Sequence, residues 1–115
     1  MELNTLNRTL LFDVYGDMLT EKQRCCFDYR YNQDLSLSEI GEIEGISRQA
    51  VHDNLLRTDA LLLEMEEKIG AVALMRKQSA VIEILDAAIQ SASASETDTD
   101  SVVRLIHQAI QQLKE

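Results

Sequence analysis

The chain has 115 residues and a formal net charge of −9, from 11 basic and 20 acidic side chains. This length suits one compact domain with at most an appended arm, and a hydrophobic fraction of 45% excludes disorder along the whole chain. The acidic excess argues against a polyanion binder that relies on bulk charge. The lack of Pro and an aromatic fraction of 4% argue against sandwiches and barrels, so we expect an all-α fold.

The sequence contains no pattern typical of an export signal, a membrane-spanning segment or a metal site. The first residues lack a basic head followed by an apolar run, and the longest apolar run, Ala71 to Met75, is too short to cross a bilayer. Cys25 and Cys26 are adjacent, which disfavours a disulfide between them and does not match the spacing of a zinc site. We therefore expect a cytoplasmic protein with reduced cysteines, no cofactor, no metal and no membrane contact.

Two helices are predicted in the first third of the chain. A capping box at Thr20 and Gln23 opens the second of them, which extends from Glu21 to about Tyr31. The first is an amphipathic helix that ends near Leu19. Its apolar residues recur at three- and four-residue spacing: Leu3, Leu6, Leu10, Leu11, Val14 and Met18.

A helix-turn-helix is predicted over residues 36–58. A second capping box opens its first helix at Ser36, and Gly45 can adopt the left-handed conformation that ends this helix. Ser47 then caps the second helix, and Gly41 supplies a small side chain on the face that this helix must approach. The two helices share a predicted core of Ile40, Ile46, Val51 and Leu55.

The chain is predicted to divide into a helical domain over residues 1–58 and an arm over residues 59–115. The arm contains a long helix that continues past Gly70, an acidic Ser/Thr linker over residues 91–101, and a terminal helix. Its acidity is high, since residues 59–115 carry a net charge of −5. The apolar stripe of the long helix is too extensive for the remaining chain to cover, which predicts a dimerisation arm. Packing of the terminal helix against it is the alternative, and both can hold together.

An enzyme is not expected from this sequence. The acidic residues Glu64, Glu66 and Glu67 lie beside Lys68, which is typical of a solvated helix face with ion pairs. No combination of His, Ser or Cys accompanies them as a nucleophile and base.

The second helix of the predicted helix-turn-helix carries residue types that can contact DNA bases in the major groove. A rotation of about 100° per residue turns Gln49 and His52 outward, where Gln49 could pair with an adenine and flanking arginines with guanine or phosphate. Asp53 and Leu56 face the same way and suit this task poorly. The candidate nucleic-acid-binding residues are Ser47, Arg48, Gln49, His52 and Arg57.

Several segments resemble region 4 of bacterial sigma factors, namely Leu19–Arg24, Tyr29–Tyr31, Ser36–Ile43 and Ile46–Val51. The run from Ser47 to Thr58 is more similar still to the YlxM family, small bacterial proteins with a sigma-like helix-turn-helix. The segment from Asn7 to Tyr15 also resembles the start of that family's sequences. This resemblance covers roughly residues 5–70. It implies an all-helical, dimeric protein with a regulatory connection to the signal recognition particle pathway, whose components are then candidate partners.

Two functions are therefore expected as alternatives. The first is a regulatory protein that binds duplex DNA as a homodimer, which the pattern from Ser47 to Thr58 favours. The second is an adaptor that keeps the helix-turn-helix as a scaffold and presents Leu56 to a protein or RNA partner. Asp53 and the acidic arm favour this second function.

Overall fold

The computed structural model describes residues 1–93 and 99–115, and within these ranges the chain is all-α, as predicted. None of the described helices is both long and apolar enough to cross a bilayer. The helices are α1 (Thr5–Tyr15), α2 (Glu21–Phe27), α3 (Leu37–Glu44), α4 (Arg48–Ile69), α5 (Ala71–Ser93) and α6 (Thr99–Lys114), with a 3₁₀ turn at Gly16–Met18 and a wide π turn at Asp28–Asn32.

Both predicted capping boxes are present. The Thr20 hydroxyl accepts a hydrogen bond from the Gln23 amide at 3.2 Å, and the Gln23 side chain accepts one from the Thr20 amide at 3.0 Å. Ser36 and Glu39 make the same reciprocal pair at the start of α3. These contacts satisfy amides that a helix start leaves without a partner, so they set where α2 and α3 begin.

The buried face of α1 differs from the predicted stripe. Leu11 and Tyr15 are buried together with Asn7, whereas Leu6 and Met18 are exposed. The α-helix ends at Tyr15, and the tighter 3₁₀ turn that follows changes the direction in which Met18 points. Spacing alone left the face undetermined, because two overlapping sets of apolar residues fit a helical period.

The first core lies where α1, α2 and α4 meet. The rings of Phe12 and Phe27 stack with centroids 4.3 Å apart, and Tyr31 lies against Phe27 at 4.7 Å. The buried members of this core are Leu11, Tyr15, Leu19, Phe27, Leu62 and Val72.

The predicted division between residues 58 and 59 falls inside α4, which runs without interruption from Arg48 to Ile69. Its second half belongs to the compact unit Met1–Val72, and the second unit is Ala73–Glu115. A two-pronged ion pair attaches this half to α1: the Arg8 guanidinium donates to both carboxylate oxygens of Asp59, at 3.2 and 3.1 Å. Both side chains are largely buried, which makes the contact directional as well as attractive.

The single long helix predicted across Gly70 is also divided in the structure. Gly70 has a φ of 71° and ends α4, a left-handed conformation that glycine adopts readily. Glu66, predicted to lie on a solvated face, is buried and accepts hydrogen bonds from the Tyr15 hydroxyl at 2.7 Å and the Val72 amide at 3.0 Å. The Tyr15 hydroxyl in turn accepts from the Ala71 amide. Burial and the bond to Glu66 raise the pKa of Tyr15.

The unit Ala73–Glu115 contains most of α5 and all of α6. Both helices extend into the predicted linker, α5 to Ser93 and α6 from Thr99, and residues 94–98 lie outside the described residues. Residues of the two helices line a common apolar groove, so α6 lies beside the C-terminal half of α5. This position agrees with the predicted return of the terminal helix along the long helix.

Candidate nucleic-acid interface

The helix-turn-helix depends on a close backbone approach at Gly41. Gly45 has a φ of 69°, and this left-handed turn brings the Ile46 amide within 3.0 Å of the Gly41 carbonyl oxygen. The chain then passes so near to α3 that a Cβ atom on Gly41 would lie 2.6 Å from the Ile46 carbonyl oxygen. The predicted need for a small residue at position 41 is confirmed, and α4 starts directly above it.

A second core holds α3 and the first half of α4 together. It consists of residues from α2, α3 and α4, with Ile46 of the turn packed against it, and its buried members are Cys26, Ile40, Val51 and Leu55. Thr58 is also fully buried. Because packing covers this face of α4, the opposite face is the one exposed to solvent.

The outward face of α4 is open in the structure, as the sequence predicted. Arg48, Gln49, His52 and Arg57 are exposed, and so are Asp53 and Leu56 between them. The Ser47 hydroxyl accepts a hydrogen bond from the Ala50 amide at 3.0 Å and caps the helix. Its own proton remains available to an acceptor such as a phosphate oxygen. All five candidate residues are therefore exposed and lie at the cap or in the first half of α4.

Asp53 changes the electrostatics of this face. The side-chain amide of Gln49 donates to its carboxylate at 3.1 Å, and Nδ1 of His52 lies 3.8 Å from the same oxygen. Gln49, predicted to pair with an adenine, is thus already bonded to a carboxylate of its own helix. The four-residue spacing of positions 49 and 53 is the pattern that identifies this contact, because such side chains are neighbours on a helix.

A groove of about 390 Å³ lies between the start of α2 and the outer side of α4. Lys22 and Arg57 both line it, so α2 adds a cation that is not among the predicted site residues. The side-chain oxygen of Asn54 is buried beside the groove and has no hydrogen-bond partner among the described residues. The other lining residues are Thr20, Gln23, Ile46, Ala50 and Asp53. The groove extends the candidate interface beyond α4 to the N-terminal turn of α2.

Arg48 and Arg57 make no hydrogen bond or ion pair within the part of the chain that the structure describes, so their guanidinium groups can reach a ligand. Across residues 1–93 and 99–115, no three His, Cys, Asp or Glu side chains are grouped to hold a metal ion. The arrangement thus exposes two guanidinium groups and the Gln49 amide in the first half of α4. These groups can donate hydrogen bonds to phosphate oxygens or to base edges.

The sequence matches the family UPF0122, described as "Putative helix-turn-helix protein, YlxM / p13 like", over residues 3–105. A UPF0122 protein of Halalkalibacterium halodurans is 45% identical over 80% of this chain and 84% of its own length. One from Shouchella clausii is 41% identical over 88% of this chain and 93% of its own length. A third, from a Thermoanaerobacter species, is 35% identical over 100% of this chain and 97% of its own length.

The approach at Gly41 yields a stability test. Replacing Gly41 by Val places a Cβ atom against the Ile46 carbonyl, which is backbone and cannot rotate away. We expect Gly41→Val to lower the free energy of unfolding, measured by chemical denaturation, by about 1–3 kcal/mol. Ala60→Val on the exposed side of α4 is the control for helix propensity and should cost only about 0.5 kcal/mol. Equal losses in the two variants would contradict the close approach.

Proposed function

Because the chain belongs to the UPF0122 family of YlxM / p13-like helix-turn-helix proteins, a family not described as enzymes, we propose that it is a regulatory protein that binds duplex DNA as a dimer. The observation that carries this proposal is the open face at the start of α4, opposite a face fully used in packing. The second helix of a helix-turn-helix enters the major groove with residues near its N-terminus.

The proposed contacts follow from the position of each side chain. Arg48 lies in the first turn of α4, where a guanidinium can reach guanine or a phosphate. Gln49 pairs with an adenine once its amide exchanges Asp53 for the base. Arg57 and Lys22, on the two sides of the groove, are placed for the phosphates that border the major groove.

Dimerisation is part of the proposal because the reading module has few cations. Residues 20–58 carry a net charge of −2, so one copy releases few counterions on binding DNA and binds weakly. Two linked copies bind two half-sites together, and the second contact then forms at a high effective concentration. A dimer therefore reaches useful affinity with the same small set of arginines.

The first test is a titration of mixed duplex DNA fragments at several salt concentrations. We expect affinity to fall as salt rises, and Arg48→Ala to weaken binding about tenfold and to reduce the steepness of the salt dependence by about one charge. Arg104→Ala removes the same charge from an exposed site on α6 and serves as the matched control. Undetectable DNA binding at low salt, with the wild-type protein folded, would refute the proposal. Equal losses in the two variants would refute the assigned site.

A second test uses Asp53, whose removal should strengthen DNA binding instead of weakening it. Asp53→Ala removes a carboxylate that would repel phosphates and releases the Gln49 amide, so we expect DNA binding between about two- and tenfold tighter. Glu67→Ala, at an exposed position near the far end of the same helix, should change the affinity much less. Weaker binding by Asp53→Ala would show that the carboxylate holds the face in its working shape, contrary to the proposal.

A second candidate function is favoured by Leu56. Its side chain is 54% exposed on the same face as Asp53, and an apolar group beside a carboxylate suits a protein partner better than a phosphate backbone. The partner would then be a protein or RNA, with components of the signal recognition particle pathway as the candidates that the family resemblance implies. In that case Leu56→Ala would abolish binding to the partner, and DNA would not bind at low salt.

A further inference from the structure

The unit Ala73–Glu115 exposes an apolar face on each of its helices. The exposed apolar residues of these faces follow one another at intervals of three or four residues, apart from a single interval of seven on α5. This spacing is typical of residues that pack between two helices. The exposed residues are each between 39% and 63% exposed, namely Met75, Ile82, Leu85 and Ile89 on α5 and Val103, Ile106, Ile110 and Leu113 on α6.

Both helices also have a second, covered apolar face. Val81 and Ala88 of α5 and Ala109 of α6 are buried. At about 100° per residue, the exposed stripe of each helix is centred about a quarter-turn from its buried stripe. A helix with two adjacent apolar faces is typical of a four-helix bundle, in which every helix packs against two neighbours. The described part of this unit supplies two such helices.

The two exposed stripes border the same groove. It has a volume of about 300 Å³ and is lined by apolar residues of both helices: Leu85, Ala88, Ile89, Ala92, Val102 and Ile106. The open surface is therefore one continuous patch with a central depression, into which side chains of a second two-helix layer can insert.

We propose that this patch packs against the same patch of a second copy of this chain, so that two α5–α6 pairs form a four-helix bundle. The inference deepens the proposed function, from which it takes the requirement for a dimer, and it assigns the dimer interface to α5 and α6. The contact is isologous, because each copy offers the surface that it receives.

The apolar area of the patch is what an interface with a second copy of this chain requires. Each half-exposed side chain of this size leaves roughly 50 Å² of apolar surface in water, so the eight residues together leave roughly 400 Å². A stable interface of standard size buries about 800 Å² per partner, of which about 60% is apolar. The patch thus supplies nearly the whole apolar part of such an interface.

The charges at the rim of the patch also complement a second copy. On the outer flank of the stripe, α5 carries Asp86, whereas α6 carries Lys114 on its corresponding flank, and both side chains are exposed. A bundle that places α5 of one copy beside α6 of the other brings this carboxylate and this ammonium group to the rim of the same interface.

The test is the mass of the full chain in solution, by light scattering coupled to size exclusion, with no DNA present. We expect the wild-type protein at twice the 13.0 kDa of one chain. Ile82→Asp places a carboxylate within the patch and should raise the dimer dissociation constant at least about a hundredfold, which gives a monomer. Ile110→Asp tests the same patch from α6 and should have the same effect.

Leu6→Asp is the matched control, because Leu6 is an equally exposed apolar residue on α1, outside the patch. It should leave the dimer intact, and circular dichroism should show unchanged helix content in all variants. A wild-type monomer at about 100 µM would overturn the proposal, and so would a dimer that survives both Ile82→Asp and Ile110→Asp. A dimer that binds no DNA would refute the proposed function and leave this interface standing.

Discussion

The structure depends on one close contact, the passage of the Ile46 carbonyl over the bare Cα of Gly41. The left-handed turn at Gly45 makes this approach possible, and it presses α3 against one face of α4. That face buries Val51 and Leu55, so His52 and Asp53 between them point away from the protein. The exposed face at the start of α4 is therefore a consequence of packing.

The length of α4 connects this face to the rest of the first unit. One helix carries the candidate interface at its start and two buried acids in its second half, where Asp59 binds Arg8 and Glu66 binds Tyr15. Buried polar groups such as these are satisfied only when α1 and α4 are arranged so that the partners meet. The helix that presents the interface is thus held at both ends of its length, by the apolar core around Val51 and by directional polar contacts further along.

Much of this fold could be predicted from local sequence, because caps, glycines and apolar spacing act over a few residues. The capping box at Ser36 and the outward position of His52 follow from such short-range rules. What spacing could not predict are contacts between residues far apart in the chain. Glu66 is predicted to lie on a solvated acidic face, because nothing near it in the sequence indicates a partner. In the structure it is buried and accepts a hydrogen bond from Tyr15, 51 positions away. The contact between Gln49 and Asp53 is of the other kind, because it spans one helical turn and its four-residue spacing is enough to identify it.

The most direct test of the central claim is to map, residue by residue, where a ligand contacts the protein. Amide chemical shifts of ¹⁵N-labelled protein, recorded during titration with duplex DNA at low salt, report that surface. We expect the largest changes at Arg48, Gln49 and His52, with smaller changes at Lys22 across the groove. Changes confined to α5 and α6, or none while the protein stays folded, would contradict the account.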